Sequence, residues 1–241
     1  MTSTSPRRAL ITGASSGIGK ATALAFARSG IHLALVGRSS EKLASIAAAV
    51  RAVGAEAQTY PLDLAAIDQV KDRVAAIATE FGPLDLLVNC AGMGYTGDLL
   101  TTSLADWQRV IDLNLTSVFQ CIQAVLPGMR DRRQGTIINV ASIAGYQAFP
   151  GWGAYNVSKA GLISLSKTLA AEERPHGIRV MIVSPGAVNT PIWDTDTVQA
   201  DFNRSLMLTP EDVAQTILHA ALLPPQAVIE ELMLVPSAGA L

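Results

Sequence analysis

Short apolar runs alternate along the chain with longer stretches in which apolar residues recur at helical spacing. Seven of these runs are too short for core helices, and several are rich in β-branched residues, as is typical of buried parallel strands. They span residues 9–12, 31–36, 56–60, 84–89, 136–141, 178–184 and 228–235. The alanine-rich segments between them, such as 20–29, 40–53 and 64–81, predict helices. The alternation predicts a doubly wound α/β fold, with a seven-stranded parallel sheet and helices on both of its faces.

Two segments depart from the short alternation of runs. Residues 101–130 are long enough for two helices, and Asn114 lies inside that stretch. Residues 187–210 have mixed polarity around Trp193, which predicts a mobile substrate loop or small lid between a strand and a later helix. We expect residues 1–6 to form a disordered tail and the 241 residues to form a single domain.

Composition excludes several classes of function. Hydrophobic residues make up 49% of the chain and the net charge is −2, so a large core can form and a nucleic-acid partner has no basic surface to attract it. No apolar run is long enough to predict a membrane span, and the segment after Arg7 and Arg8 is too short for a signal peptide. Cys90 and Cys121 lie in apolar stretches, which predicts buried reduced thiols and a cytoplasmic location. The three histidines are far apart in sequence, so we predict no metal site.

A glycine-rich turn follows the first predicted strand and precedes the first predicted helix. Its residues are Gly13, Ala14, Ser15, Ser16, Gly17, Ile18 and Gly19, with the spacing Gly-x3-Gly-x-Gly. Glycines at such a turn let the backbone approach a pyrophosphate, and the amides at the helix start face its oxygens. The turn therefore predicts a dinucleotide cofactor and a Rossmann-type fold.

The end of the second predicted strand bears on which dinucleotide is bound. Arg38 and Ser39 stand there, and no Asp or Glu occupies the place from which a carboxylate would hold the 2′-OH of a ribose. A guanidinium pairs with a 2′-phosphate, which favours NADP(H) over NAD(H). Arg38 as an ordinary surface cation is the alternative.

Candidate catalytic chemistry lies in the second half of the chain. Tyr155 and Lys159 are four residues apart in a predicted helix over 154–173, so both lie on one face. An ammonium beside a phenol is expected to lower the pKa of the phenol, as general acid–base catalysis near neutral pH requires. Ser142 follows a strand end, where a hydroxyl could stabilise negative charge on a carbonyl oxygen.

Together these motifs resemble those of the classical short-chain dehydrogenase/reductase family over almost the whole chain. The matching positions are residues 12–19, Asp63 with Leu64, Asn89-Cys90-Ala91-Gly92, Asn114, Ser142, Tyr155, Lys159, Pro185-Gly186 and Thr190. The resemblance implies a hydride transfer between a nicotinamide and a carbonyl or alcohol carbon, with Tyr155 exchanging the proton and Ser142 orienting the carbonyl. It also implies that Lys159 contacts the nicotinamide ribose and that Asn114 holds a water linked to Lys159. The implied cofactor contacts include Ser15, Ser16, Asp63, Leu64, Asn89, Ala91, Gly92, Pro185, Gly186, Val188 and Thr190.

The substrate side of the predicted site is largely apolar and aromatic. Its candidates are Met93, Gly94, Tyr95, Ile143, Tyr146, Gln147, Phe149, Trp152, Ile192 and Trp193. This set favours a hydrophobic or aromatic ketone or aldehyde, although several members could instead pack a loop or a subunit interface. The resemblance implies a homodimer or homotetramer, for which the apolar segments 113–126 and 162–169 are candidate interfaces.

Two rival functions remain at this stage. A 3-oxoacyl thioester reductase would need a basic surface near the pocket mouth, for which Arg130, Arg132 and Arg133 are candidates. The chain end lacks the Asp-Gly-Gly of many such reductases, which weakens that assignment. A non-catalytic NADP-sensing regulator would keep the fold but is expected to lose the Tyr or the Lys, and here both are present.

Overall fold

A computed structural model describes residues 6–239 and shows a seven-stranded sheet with helices on both faces. The strands are β1 (Arg8–Thr12), β2 (His32–Gly37), β3 (Ala57–Pro61), β4 (Leu86–Asn89), β5 (Gly135–Val140), β6 (Ile178–Pro185) and β7 (Glu231–Leu234). All neighbours pair in parallel, in the order β3-β2-β1-β4-β5-β6-β7. The predicted fold class is confirmed. Because the order reverses between β1 and β4, a crevice opens at the carboxyl ends of these strands, where ligands bind in open α/β sheets.

Within residues 6–239, seven α-helices surround the sheet. They are α1 (Gly17–Arg28), α2 (Ser40–Ala52), α3 (Ile67–Phe81), α4 (Leu104–Ile111), α5 (Ser117–Arg132), α6 (Gly153–Glu173) and α7 (Pro210–Ala221). Helices α1, α2 and α7 bury Phe26, Leu43 and Ile217 against one face of the sheet. Helices α3, α5 and α6 bury Val74 and Ile122, among others, against the other face. Successive strand residues alternate between the two cores, because side chains along a strand point to opposite faces.

Some predicted boundaries differ from those of the structure. Helix α3 begins at Ile67 rather than at residue 64, because residues 62–66 form a turn in which Leu64 is buried. Strand β7 is limited to Glu231–Leu234, since only these residues pair with β6 at the edge of the sheet. Residues 1–5 of the predicted tail lie outside the described residues.

The predicted pair of helices around Asn114 is one continuous helical run. A π-helical turn (Asp112–Thr116) joins α4 to α5. By length and composition alone the run Leu104–Arg132 could cross a membrane, contrary to the expectation that no run is long enough. Its residues Val118, Ile122 and Val125 are buried in the sheet core, and a buried core helix passes the same test.

The candidate interface segments contribute mostly to the core of the chain itself. Residues such as Cys121 and Leu162 pack against the sheet. Phe119 on α5 and Val157 on α6 are instead exposed, at 43% and 48% of their surface. Burial within the single chain therefore accounts for much of the apolar character of these segments.

Candidate active site

The glycine-rich turn has the backbone geometry that close approach to a dinucleotide requires. Gly13 and Gly17 have φ angles of +66° and +51°. A Cβ on Gly13 would lie 2.8 Å from the Ala91 nitrogen, and one on Gly19 would lie 2.3 Å from the Gly13 oxygen. Only glycine fits both positions, since any side chain would collide with backbone. The residues present therefore fit a pyrophosphate at the start of α1.

Threonine 12 joins this turn to the end of β4. The Thr12 hydroxyl accepts hydrogen bonds from the backbone amides of Cys90 (3.1 Å) and Ala91 (3.2 Å). The Thr12 side chain thus links the carboxyl ends of β1 and β4, between which the strand order reverses. This contact places Ala91 and Gly92 beside the Gly-rich turn, as the predicted cofactor site requires.

The end of β2 presents Arg38 and Ser39 toward the same edge of the sheet. Arg38 is exposed, and the Ser39 hydroxyl caps α2 by accepting the Lys42 amide at 3.3 Å. Asp63 lies in the turn after β3, where its carboxylate accepts the Ala65 amide at 3.0 Å, and Leu64 is buried. All four residues follow the carboxyl ends of β2 and β3 within three residues.

Ser142, Tyr155 and Lys159 line one cleft of about 110 Å³. Ser142 follows β5, and its hydroxyl accepts the Ala144 amide at 3.1 Å, which fixes the turn that follows. Lys159 is buried, its ammonium donates to the Val140 carbonyl at 3.0 Å, and its Nζ lies 5.7 Å from the centre of the Tyr155 ring. The structure therefore brings these three predicted catalytic side chains together.

The electrostatics of this cleft correct one expectation. Burial raises the pKa of the Tyr155 phenol, and the Ser142 side chain opposes that change. Burial lowers the pKa of Lys159 from 10.5 to about 8, and interaction with Cys90 opposes that change. The expected lowering of the Tyr155 pKa by Lys159 is therefore wrong in this structure, because desolvation of the phenol outweighs other influences and the ammonium faces the ring and Val140.

Asn114 lies in the π-helical turn, behind the cleft. Its Oδ1 accepts the Met93 amide at 2.8 Å, and its Nδ2 donates to the Met93 carbonyl and to the Ser158 hydroxyl. A Cβ built on Gly92 would lie 3.3 Å from the Asn114 Oδ1 and 3.7 Å from the Lys159 Nζ. Asn114 therefore positions the segment after β4 close to Lys159, although its side chain does not line the cleft.

Residues after β6 close the site from the other side. The Gly186 amide donates to Leu234 at 2.8 Å, and Pro185, Gly186, Val188 and Thr190 line the cleft with Tyr155. Thr190 also reaches the Gly-rich turn, with its Cγ2 3.2 Å from where a Cβ on Gly17 would be.

The substrate loop 187–210 contains two short 3₁₀ turns, Pro191–Asp194 and Arg204–Leu206, and it contacts the segment after β4. The Thr197 hydroxyl donates to the Gly94 carbonyl at 2.9 Å, and the Thr96 amide donates to the Thr197 carbonyl at 2.9 Å. The Trp193 indole donates to the Val188 carbonyl at 2.7 Å. The loop is thus held to the segment after β4, while an internal bond fixes Trp193 against Val188.

Aromatic rings form one wall beside Tyr155. Trp152 packs edge-to-face on Tyr155, with ring centres 5.4 Å apart, and on Trp193 at 5.9 Å. Met93, Ile192 and Trp193 line the cleft itself. Of the ten residues predicted for the pocket, these three line the cleft, and Trp152 packs against Tyr155 and Trp193.

Tyr146 does not belong to that wall. Its hydroxyl bonds to the Glu231 carboxylate at 3.0 Å, and Glu231 also pairs with Lys167. These contacts direct the Tyr146 side chain toward the edge strand β7. Its placement among the pocket residues is therefore wrong.

Asn89 has a different place from the one expected of a cofactor ligand. Its side chain donates to Asn139 at 2.8 Å, and Asn139 donates to Ser166 at 2.8 Å, all three being buried. Sequence reasoning missed Asn139, Ser166 and Ser158. A polar residue within the apolar run 136–141 was the available signal for Asn139.

The arginines considered for a carrier-protein surface lie away from the mouth of this cleft. Arg130 pairs with the buried Glu173, Arg132 donates to the Leu84 carbonyl and Arg133 donates to the Pro175 carbonyl. They cluster near the amino end of β5, whereas Ser142 follows its carboxyl end. Within the chain they therefore do not border the entrance to the cleft.

Fold and site together define a dinucleotide-dependent oxidoreductase with a Ser-Tyr-Lys centre. The sequence profile of the short chain dehydrogenase family matches residues 7–200. The chain belongs to the short-chain dehydrogenase/reductase family and is an oxidoreductase of that family.

Curated relatives include a 3-oxoacyl-[acyl-carrier-protein] reductase of Synechocystis sp., 39% identical over 95% of this chain and 94% of that protein. Glycine betaine reductase ATRR of Emericella nidulans is 34% identical, and the match covers 95% of this chain but only 18% of that protein. Among solved structures, an alcohol dehydrogenase from Thermococcus sibiricus complexed with 5-hydroxy-NADP has a TM-score of 0.88 at 29% identity, covering 98% of each chain.

Proposed function

We propose that the protein is an NADP(H)-dependent carbonyl reductase or alcohol dehydrogenase for hydrophobic ketones, aldehydes or the matching alcohols. One observation carries the proposal: Ser142, Tyr155 and Lys159 share a cleft with an apolar wall that includes Trp193. The cleft lies at the carboxyl ends of the strands, where the strand order reverses, and Ile18 of the Gly-rich turn lines it.

Within this cleft the chain's own residues manage the proton and the developing charge. NADPH, when bound, supplies the hydride to the carbonyl carbon. The Tyr155 hydroxyl donates its proton to the carbonyl oxygen, and its raised pKa keeps that proton in place until negative charge develops on the oxygen. The Ser142 hydroxyl orients the same oxygen. Lys159, whose pKa is about 8, is mostly protonated at neutral pH, and its ammonium, 5.7 Å from the centre of the Tyr155 ring, would contact the nicotinamide ribose.

The cofactor is NADP(H). Arg38 at the end of β2 is exposed and available for the 2′-phosphate, and no carboxylate stands at that strand end to favour a free 2′-OH. Solved relatives include a metagenomic short-chain oxidoreductase in complex with NADP, with a TM-score of 0.84 at 31% identity.

A second candidate is reduction of a 3-oxoacyl thioester. The 39% identity with the Synechocystis reductase favours it. Against it, Arg130, Arg132 and Arg133 do not border this subunit's cleft. Rates with an acetoacetyl thioester and with an aryl ketone, each with NADPH, separate the two. A kcat/KM for the thioester at least tenfold above that for every aryl ketone would favour the thioester reductase.

We further propose that the enzyme is a cytoplasmic homodimer or homotetramer. Exposed Phe119 and Val157 lie on α5 and α6, which pack on the same face of the sheet, and support a subunit contact there. Analytical ultracentrifugation tests this, and a monomer at micromolar concentration would contradict it.

The test of the proposed chemistry is NADPH oxidation with a panel of hydrophobic ketones by the wild type and Tyr155→Phe. We expect the variant to lose at least 100-fold in kcat while still binding NADPH, because only the donated proton is removed. Tyr60→Phe is a matched control on the edge strand β3 and should keep full activity. Equal rates for wild type and Tyr155→Phe would remove Tyr155 as the donor. Absence of turnover by the wild type with NADPH would favour the non-catalytic regulator.

A further inference from the structure

Beside the Gly-rich turn lies a second, larger cleft that the reaction site does not use. Its volume is about 410 Å³, and it lies between the starts of α1, α2 and α7. Ser15, Ser16 and Gly17 line it on the turn, and Lys20 on α1 and Lys42 on α2 line its sides. The cleft therefore combines hydroxyls, helix-start amides and two cations, a set of groups that suits a phosphate.

This cleft adjoins the end of β2. The Ser15 hydroxyl lies 3.3 Å from where a Cβ on Gly37 would be, and Arg38 is the next residue. The same Ser15 lines the cleft that contains Lys42. Ser15 therefore lies both beside Gly37, which precedes Arg38, and in the cleft that Lys20 and Lys42 line.

The charge of a bound 2′-phosphate would exceed the single positive charge of Arg38, and Lys20 and Lys42 could supply the difference. A phosphate monoester carries a charge of about −1.5 to −2 at neutral pH, whereas Arg38 supplies a single positive charge. Within residues 6–239 neither Lys20 nor Lys42 forms an ion pair, and both are exposed. Glu211 lines the cleft on its far side, where its carboxylate reduces the local positive potential.

We propose that Lys42, assisted by Lys20, contacts the 2′-phosphate of NADP(H) together with Arg38, and that the two lysines are determinants of the preference for NADP(H) over NAD(H). The inference rests on NADP(H) as the cofactor. Lys42 is the third residue of α2, three residues after the Ser39 cap and four after Arg38. Lys20 adds a second positive charge from α1.

The test measures binding in the absence of any carbonyl substrate. Dissociation constants for NADPH and NADH are determined by fluorescence titration for the wild type, Lys42→Met, Lys20→Met and the double variant. We expect Lys42→Met to weaken NADPH about tenfold and Lys20→Met to weaken it less, with NADH changed less than twofold, because only NADPH carries the 2′-phosphate. Displacement by 2′,5′-ADP should weaken in parallel, whereas displacement by 5′-AMP should not.

Lys71→Met removes one exposed lysine from α3 and is the matched control for net charge. It should leave both constants unchanged, Lys42→Arg should retain the wild-type NADPH affinity, and Glu211→Gln should tighten NADPH. Melting temperatures establish that each variant is folded. Equal weakening of NADPH and NADH by Lys42→Met, an unchanged NADPH constant, or the same loss in Lys71→Met would each overturn the inference. A wild type that binds the two cofactors equally would overturn the NADP(H) assignment as well.

Discussion

Replacement of Lys159 by Met is expected to abolish catalysis and yet stabilise the fold. The side chain is 5% exposed, and burial lowers its pKa from 10.5 to about 8. At about 1.4 kcal/mol for each pH unit, keeping this ammonium charged inside the protein costs on the order of 3 kcal/mol. The bond from Nζ to the Val140 carbonyl, which the variant loses, offsets about 1–2 kcal/mol of that gain. The free energy of unfolding at pH 7 should therefore rise by roughly 1–2 kcal/mol.

The gain should also depend on pH in a particular direction. Below pH 8 the lysine is charged in both the folded and unfolded states, so the full cost is present in the wild type. Between pH 8 and 10.5 the unfolded state binds more protons than the folded state, so wild-type stability rises with pH. The advantage of Lys159→Met should consequently narrow over that interval.

Urea denaturation of the cofactor-free enzymes at pH 7 and at pH 10 measures both effects. Lys71→Met serves as the control, because its lysine is exposed and should contribute no comparable change. A Lys159→Met variant less stable than wild type at pH 7, or a stability difference that does not narrow by pH 10, would refute the reasoning from burial.

Three further substitutions test separate parts of the structure. Arg38→Asp should weaken NADPH binding at least 100-fold more than NADH binding in fluorescence titrations, and an unchanged ratio would show that this side chain does not read the 2′-phosphate. Gly19→Ala should lower both cofactor affinity and the melting temperature, since its Cβ would lie 2.3 Å from the Gly13 oxygen; a variant with wild-type binding and melting would contradict the tight turn. Arg130→Met should lower the melting temperature because it leaves the fully buried Glu173 without its cation, and the double variant with Glu173→Met should recover part of the loss. Calorimetry that finds no change for Arg130→Met would argue that Glu173 has another partner.

The fold class and the central site were accessible from sequence because local patterns determine them. The Gly-rich turn, the strand ends and the i, i+4 pair of Tyr155 and Lys159 are set by periodicity and short spacing, and the structure brings Ser142 to the same cleft. Side-chain direction was harder to predict. Tyr146 is close to Ser142 in sequence, but the carboxylate of Glu231, 85 residues later, draws it away.

The electrostatics could not be predicted for a related reason. The pKa of Tyr155 depends on how completely surrounding groups remove it from water, which no i, i+4 spacing reveals. The second cleft was also missed, because Lys20 and Lys42 lie on different helices whose approach only the tertiary structure defines.

The buried amides of Asn89 and Asn139 sit directly opposite each other where β4 pairs with β5. If either strand slid by one residue, both amides would face apolar neighbours and the Ser166 hydroxyl would lose its donor, at a cost of about 1–3 kcal/mol for each group left without a partner. The amide pair thus helps to specify the register in which β5 pairs with β4. The register of β5 on β4 also determines where β5 ends, and therefore where Ser142, two residues after β5, is placed.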